Sequence, residues 1–116
     1  MNRSRLATLS LVLLGTSARA AAPPKHPDLT AQQQFQAAAK EYDSGNYAEA
    51  VSKVQPLLVH QPHSFEVQEL AGMAYAALGQ DSQAIEHLQL AVQLRPADAT
   101  AHTILAASLS HTGRTQ

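Results

Sequence analysis

The fold is decided by residues 65–98, FEVQELAGMAYAALGQDSQAIEHLQLAVQLRPAD. Apolar residues recur in this stretch at steps of three and four, which is the spacing of one face of an α-helix. Gly79 interrupts the pattern, because glycine readily adopts the left-handed conformation in which many helices end. Pro96 ends the second run, since proline cannot continue a helix. The stretch therefore predicts two helices joined by a short turn, the first starting after Ser64 and the second after Asp81.

The same pattern recurs at a distance of 34 residues along the chain. A shift by this period pairs Ala38 with Gly72, Gly45 with Gly79, Ala50 with Ala84, Leu58 with Val92, and Pro62 with Pro96. A second shift pairs Gly72 with Ala106 and Gly79 with Gly113. A helix-turn-helix unit of this length, repeated along a chain, is typical of solenoid proteins.

Five helices and no strand are predicted, over residues 31–44, 47–60, 65–79, 82–95 and 99–113. Thr30 and Gln33 match a capping box, in which each side chain satisfies a backbone amide of the other residue at a helix start. Ser64 and Asp98 are predicted N-caps of the third and fifth helices. The third helix is expected to bury Val67, Leu70, Ala71, Ala74, Tyr75 and Leu78. The predicted apolar face of the fifth helix consists of Ala101, Ile104, Leu105, Ala106 and Leu109.

The amino terminus is organised as a secretory signal peptide. Arg3 and Arg5 precede an apolar run over residues 6–15, and Ala18 and Ala20 then supply the small residues of a cleavage site. We expect cleavage after Ala20 or two residues later, which makes 1–20 a signal peptide. The run is shorter than the roughly twenty residues of a membrane span, so an uncleaved anchor is the weaker alternative. Residues 21–30, which contain three prolines, are predicted to form a flexible linker.

Composition and charge exclude several function classes. The chain has 116 residues, enough for one small domain, and it has no cysteine, which excludes disulfides, thiolate zinc sites and a cysteine nucleophile. After removal of residues 1–20, five basic residues remain against nine acidic ones, a net charge of about −4. Without a basic patch to neutralise phosphates, nucleic-acid binding is not expected. The chain is expected to be exported, to the periplasm or the medium, with no stable membrane anchor after cleavage.

No constellation of residues for catalysis or for cofactor binding is recognisable. His60 and His63 flank Pro62 in a predicted loop with no carboxylate nearby in the sequence, a poor ligand set for a metal ion. The other histidines are scattered and are expected to be solvated. No nucleophile motif surrounds any serine, and the glycines are accounted for by turns and packing rather than by a phosphate loop. Neither an enzyme nor a metal or cofactor protein is predicted.

The repeats resemble the tetratricopeptide repeat family. In residues 65–98 the family's spacing is met by Gly72, Tyr75, Gly79, Ala84, Leu88, Ala91 and Pro96. In residues 31–64 it is met by Ala38, Gly45, Tyr47, Ala50, Val54, Leu57 and Pro62. Residues 99–113 match only the first helix of a unit, through Leu105, Ala106, Leu109 and Gly113. Small residues at these positions let two antiparallel helices approach, and the larger ones fill the space beside them.

The resemblance implies a short, right-handed α-solenoid of antiparallel helix-turn-helix repeats. It also implies that the first helix of each unit lines a concave groove for a partner segment. The corresponding positions in this chain are Gln32, Phe35, Ala39, Tyr42, Glu66, Glu69, Met73, Thr103 and Ala107. An alternative for Phe35 and Tyr42 is that they belong to an ordinary apolar core. Glu66 and Glu69 would repel a carboxylate, so a mixed groove of this kind suits an amphipathic or extended segment with some basic character.

The chain departs from the family pattern at several positions. Tyr42 stands one position later than Tyr75 predicts, Gln34 and Gln68 replace an early tryptophan, and Pro56 falls inside the second helix. The third unit has only its first helix, whereas about three repeats are usually needed for a stable stack.

Two functions follow as expectations. The first is a protein-protein interaction module that acts as a scaffold or adaptor outside the cytoplasm. The second is a structural or assembly role, in which the chain associates with itself or is a fragment of a larger repeat protein.

Overall fold

A computed structural model of the protein describes residues 29–113. These residues form five α-helices, α1 Ala31–Asp43, α2 Tyr47–His60, α3 Phe65–Ala77, α4 Asp81–Leu94 and α5 Ala99–His111. No strand occurs within this range, so the all-α prediction is confirmed. None of the helices in residues 29–113 is long and apolar enough to cross a membrane. The predicted signal peptide 1–20, its cleavage residues Ala18 and Ala20, and the linker as far as residue 28 lie outside the described residues.

Three of the helices start at caps that the sequence predicts. At α1 the Thr30 hydroxyl accepts from the backbone N–H of Gln33 at 3.1 Å, and the Gln33 side chain accepts from the Thr30 N–H at 3.0 Å. Ser64 caps α3 by accepting from the Val67 N–H, and Asp98 caps α5 by accepting from the Ala101 N–H. The predicted start of α4 after Asp81 is one residue too late, because Asp81 is already its first helical residue. Gln80 alone connects the turn at Gly79 to α4. The carboxylate of Asp81 still stabilises α4, because it lies at the positive end of the helix dipole.

Gly45 and Gly79 end the first helix of each pair at equivalent places. Their φ angles are +83° and +77°, in the left-handed region where glycine is favoured. The following residue then bonds back across the helix end, from the N–H of Gln80 to the carbonyl of Tyr75 at 2.9 Å in the second case. The chain turns within three residues, so the two helices of each pair pack side by side.

Consecutive helices pack against each other along the whole described chain. In addition, α1 contacts α3 and α3 contacts α5, whereas no close backbone contact joins α2 and α4 within residues 29–113. The main core lies between α1, α2 and α3 and consists of Ala38, Val54, Leu57, Val67, Leu70 and Ala71. Phe35, Ala39 and Tyr42 are half-buried and pack against this core, so part of each side chain serves the fold.

Gly72 and Leu88 form the tightest of the predicted packing contacts. A Cβ atom at Gly72 would lie 2.5 Å from Cγ and 2.7 Å from Cδ2 of Leu88, closer than carbon atoms approach. Leu88 is fully buried, as are the small residues Ala84 and Ala91 of α4. The absence of a side chain at residue 72 therefore lets α3 and α4 approach over the Leu88 side chain.

Some predicted core positions are wrong. Leu78 is 38% exposed because it lies beyond the last residue of α3, where the chain leaves the helix direction. On α5, Ala106 of the predicted apolar face is exposed, whereas Ser108, which lies outside that predicted face, is buried at 1% exposure. Seven residues make nearly two helical turns, so Ser108 falls on the same side as buried Ala101. Pro56 is exposed and α2 runs through it as one helix.

Candidate binding groove

A groove runs between α1 and α3 and is formed by residues from both helix pairs. We define the α1–α3 groove as Phe35, Ala39, Tyr42, Glu66, Glu69 and Met73, which line one depression of about 190 Å³ together with Asp43 and Leu70. A larger depression of about 460 Å³ adjoins it, shares Phe35 and Glu66, and adds Gln32 to its lining. Two helices that are 34 residues apart in register thus present their predicted groove positions to one surface.

The structure brings together seven of the nine residues predicted to line a groove. The other two, Thr103 and Ala107, are exposed on α5 and line neither depression. The hydroxyl of Thr103 donates to the carbonyl of Ala99 in its own helix at 2.8 Å. The groove as the structure has it therefore lies mainly between α1 and α3.

Tyr42 forms the end of the groove near the first turn. Its ring lies 5.2 Å from the ring of Tyr47, centroid to centroid, in a tilted arrangement that is common for aromatic pairs. Partial burial raises the pKa of the Tyr42 hydroxyl above its ordinary value. The side chain therefore stays neutral near pH 7 and offers an apolar ring with a hydrogen-bonding group.

Glu69 is the most perturbed acid in the groove. Its Oε2 atom is buried and has no hydrogen-bond partner among the described residues. Burial, followed by the nearby negative charge of Asp98, raises the pKa of Glu69 from 4.5 to about 6. The backbone N–H of Ala101 stabilises Asp98 as an anion and lowers its pKa, so the shared proton belongs to Glu69. When Glu69 is protonated, its hydroxyl can donate to Asp98, and above pH 6 two negative charges face each other.

We expect Glu69→Gln to make the protein more stable at pH 7 by up to about 1 kcal/mol, because the amide carries no charge beside Asp98 and solvent screens part of the repulsion at this half-buried site. In the wild type, the folded state binds the Glu69 proton more tightly than the unfolded state does. Protonated Glu69 therefore contributes its full stabilisation of the fold below pH 4.5, and this stabilisation is lost as the pH rises through 6. The gain from the substitution should vanish at pH 4.5.

Urea unfolding of both proteins at pH 4.5 and pH 7 measures this difference, and the comparison at equal pH cancels other titrating groups. Glu66→Gln is the control, since Glu66 is about half exposed and should give no such gain. Equal stability of wild type and Glu69→Gln at pH 7 would show that Asp98 does not strain Glu69.

Arg95 is placed at the edge of the groove. Its guanidinium donates to Oε2 of Glu66 at 2.6 Å and lies 4.3 Å from the centroid of the Phe65 ring. The backbone N–H of Glu66 and then Arg95 hold the pKa of Glu66 below its ordinary value. Both partners are about half exposed, so the pair contributes little to stability. Arg95 pairs directly with Glu66, and its charge also lowers the pKa of Glu69, but by less than burial and Asp98 raise it.

A polar cluster that sequence reasoning missed lies between α3 and α4. Gln68 is 3% exposed; its Nε2 donates to the Pro62 carbonyl at 2.8 Å, and its Oε1 lies 2.8 Å from Nδ1 of His87. Since Oε1 can only accept, Nδ1 of His87 carries the hydrogen. The His87 ring stacks on Tyr75, with centroids 5.5 Å apart and planes at 4°. The expectation that all histidines are solvated is wrong for His87, whose burial lowers its pKa.

The burial of Gln68, but not the identity of its partners, could have been expected from the repeat register. Gln68 occupies the position where the resembled family carries tryptophan, and a residue there faces the second helix of its own unit. Because Gln68 is polar, its burial required a partner, and α4 offers His87. Among residues 29–113, no group of three or more histidine, aspartate or glutamate side chains is arranged to hold a metal ion.

Comparison with known proteins adds no relative. A scan against protein-family models matches no family. A search of curated proteins finds none with significant similarity to this chain.

Proposed function

We propose that this chain is an exported protein-interaction module of the tetratricopeptide type, which binds a segment of a partner protein in the α1–α3 groove. The observation that carries the proposal is the groove itself: residues of two helices, equivalent under the 34-residue shift, line one surface with half-buried apolar side chains. Ordinary core residues would be covered by a further helix, and none covers these within residues 29–113.

The helix contacts support a curved stack. The first helices of the pairs touch one another, while α2 and α4 do not come close within the described range. A stack of helix pairs that touch on one side and are separated on the other side curves toward the side where they touch. In the proposed right-handed solenoid, α1, α3 and α5 therefore form the concave face, where binding grooves occur. Export is proposed from the sequence of residues 1–20 alone.

We expect the triple substitution Phe35→Ala, Tyr42→Ala and Met73→Ala to weaken partner binding at least tenfold, because it removes the apolar floor of the groove. The full chain would be immobilised and used to capture proteins from an envelope extract, and each retained protein would then be titrated against purified variants. The matched control is Val59→Ala with Leu90→Ala, which removes exposed apolar groups from α2 and α4. Circular dichroism verifies that every bait is folded.

A partner held by the wild type and the control, but lost with the triple variant, supports the groove. A partner held equally by all three contradicts it. Capture of nothing but copies of this chain, insensitive to the triple variant, would favour the alternative assembly role. One observation supports that alternative: His102, Ala106 and Leu109 of α5 stand where the equivalent residues of α3 meet α4, and no described helix covers them.

A further inference from the structure

The charged side chains of the groove all have the same sign. Glu66, Glu69 and Asp43 line the smaller depression, and among the described residues no lysine or arginine lines either depression. Residues 29–113 contain eight acidic and three basic side chains, so the groove is not an exception in an otherwise basic surface. A phosphate or a second carboxylate would be repelled here.

None of the three basic side chains of the described chain forms an ion pair with Glu69. Lys53 bonds to Glu41 on the α1–α2 side at 2.5 Å, and Arg95 bonds to Glu66 at 2.6 Å. Lys40 is exposed on α1 and lines neither depression. Glu69 keeps a buried oxygen without a hydrogen-bond donor and faces Asp98 instead. Glu69 thus has no ion-pair partner within the described residues, although the charge of Arg95 acts on it from a distance.

The apolar surface determines the rest of the occupant's chemistry. Phe35, Ala39 and Met73 lie beside Glu69 in the same depression. The α1 side of the two depressions extends from Ala31 to Asp43, a rise of about 18 Å, which equals about twelve residues of a helix. An amphipathic segment of this length would present apolar side chains to the floor and one cation to the acidic side.

We infer that the α1–α3 groove selects a basic amphipathic segment, with a lysine or arginine side chain against Glu69 and apolar side chains against Phe35, Ala39 and Met73. The inference rests on the proposed function and names the chemistry of its partner. A cation at this place pairs with the negative charge of the half-buried Glu69 carboxylate, and it offsets the repulsion from Asp98. Selection for charge therefore comes from Glu69, and affinity comes from the apolar floor.

The test uses a displayed library of random twelve-residue peptides selected on the full chain. We expect the enriched peptides to carry at least one lysine or arginine together with apolar residues at steps of three or four. The most enriched sequence, made synthetically, should bind Glu69→Gln about tenfold more weakly, the usual size of one charge-assisted bond. Glu86→Gln is the matched control, because it removes the same charge from an exposed site on α4.

The outcomes separate the inference from the proposed function. Enriched peptides that are neutral or acidic, yet lose affinity for Phe35→Ala, would overturn the inference and leave groove binding standing. Basic peptides that are weakened equally by Glu69→Gln and Glu86→Gln would also overturn it, since they would respond only to net charge. If no enriched peptide depends on Phe35, the proposed function fails together with the inference.

Discussion

Leu88→Ala is expected to lower the free energy of unfolding by about 2–5 kcal/mol, the largest effect that we predict for a single side chain. Leu88 is fully buried between α3 and α4, and its branched end lies over Gly72. Shortening it removes apolar contacts and leaves a cavity that the rigid helix pair cannot close completely. The measurement is urea unfolding of the full chain, followed by circular dichroism.

The contact with Gly72 supplies a sharper test of this packing. In the wild type, Gly72→Ala should cost about 1–3 kcal/mol, because the new Cβ atom would overlap Leu88. In the Leu88→Ala protein the same substitution has free space, and alanine favours a helix over glycine by about 1 kcal/mol. We therefore expect Gly72→Ala to be stabilising in that background. The effect of Gly72→Ala on the free energy of unfolding would then change sign between the two backgrounds, which neither single substitution can show.

Leu90→Ala is the control for this cycle. Leu90 lies two positions from Leu88 on the same helix but is 42% exposed. Its loss should change stability by no more than about 0.5–1 kcal/mol. If Gly72→Ala is equally destabilising with leucine and with alanine at residue 88, close approach over Leu88 does not explain the glycine.

The helices of this protein could be predicted because their signals are local. Thr30, Ser64 and Asp98 act within three residues of their own positions, and Gly45 and Gly79 set backbone angles that no distant contact needs to specify. The start of α4 was misjudged for the same reason. Asp81 has the side chain of a cap, but the turn before it had already brought the chain into the helix.

Contacts between residues of α1 and α3 in the groove could also be predicted, because residues one repeat period apart occupy equivalent positions on adjacent helices. Phe35 and Glu69 stand 34 residues apart and line the same depression. The period cannot give the charge state of Glu69, however. That state depends on Asp98, which approaches from the turn after α4, and on how much water reaches the Glu69 carboxylate.

The hydrogen-bond partners of buried polar residues were the other part that the sequence did not reveal. A pattern of apolar side chains leaves Gln68 and Ser108 out of the core, although both are almost completely buried. The cost of burying the Gln68 amide is offset by hydrogen bonds to Pro62 and His87, which lie 6 and 19 residues away, in a loop and in another helix. Such compensation becomes visible only when the separate elements have been placed together.

Gln68→Leu is expected to destabilise the protein by about 2–3 kcal/mol, although leucine is apolar and of similar size. The substitution leaves the Pro62 carbonyl and Nδ1–H of His87 without their partner, and an unsatisfied buried group costs about 1–3 kcal/mol. Urea unfolding measures the loss. Gln55→Leu is the matched control, because Gln55 is exposed and only its bond to the Tyr75 hydroxyl at 2.7 Å is lost.

A double-mutant cycle with His87→Leu separates the polar pair from simple packing. If Gln68 stabilises the fold through His87, the double variant should be less damaged than the sum of the two single variants, by about 1 kcal/mol. The imidazole that lost its acceptor is then absent, and two leucines meet between α3 and α4. Strict additivity, with Gln68→Leu no worse than Gln55→Leu, would mean that the hydrogen bond between Gln68 and His87 contributes nothing. The helix pair would then depend only on its apolar contacts, Gly72 against Leu88 foremost among them.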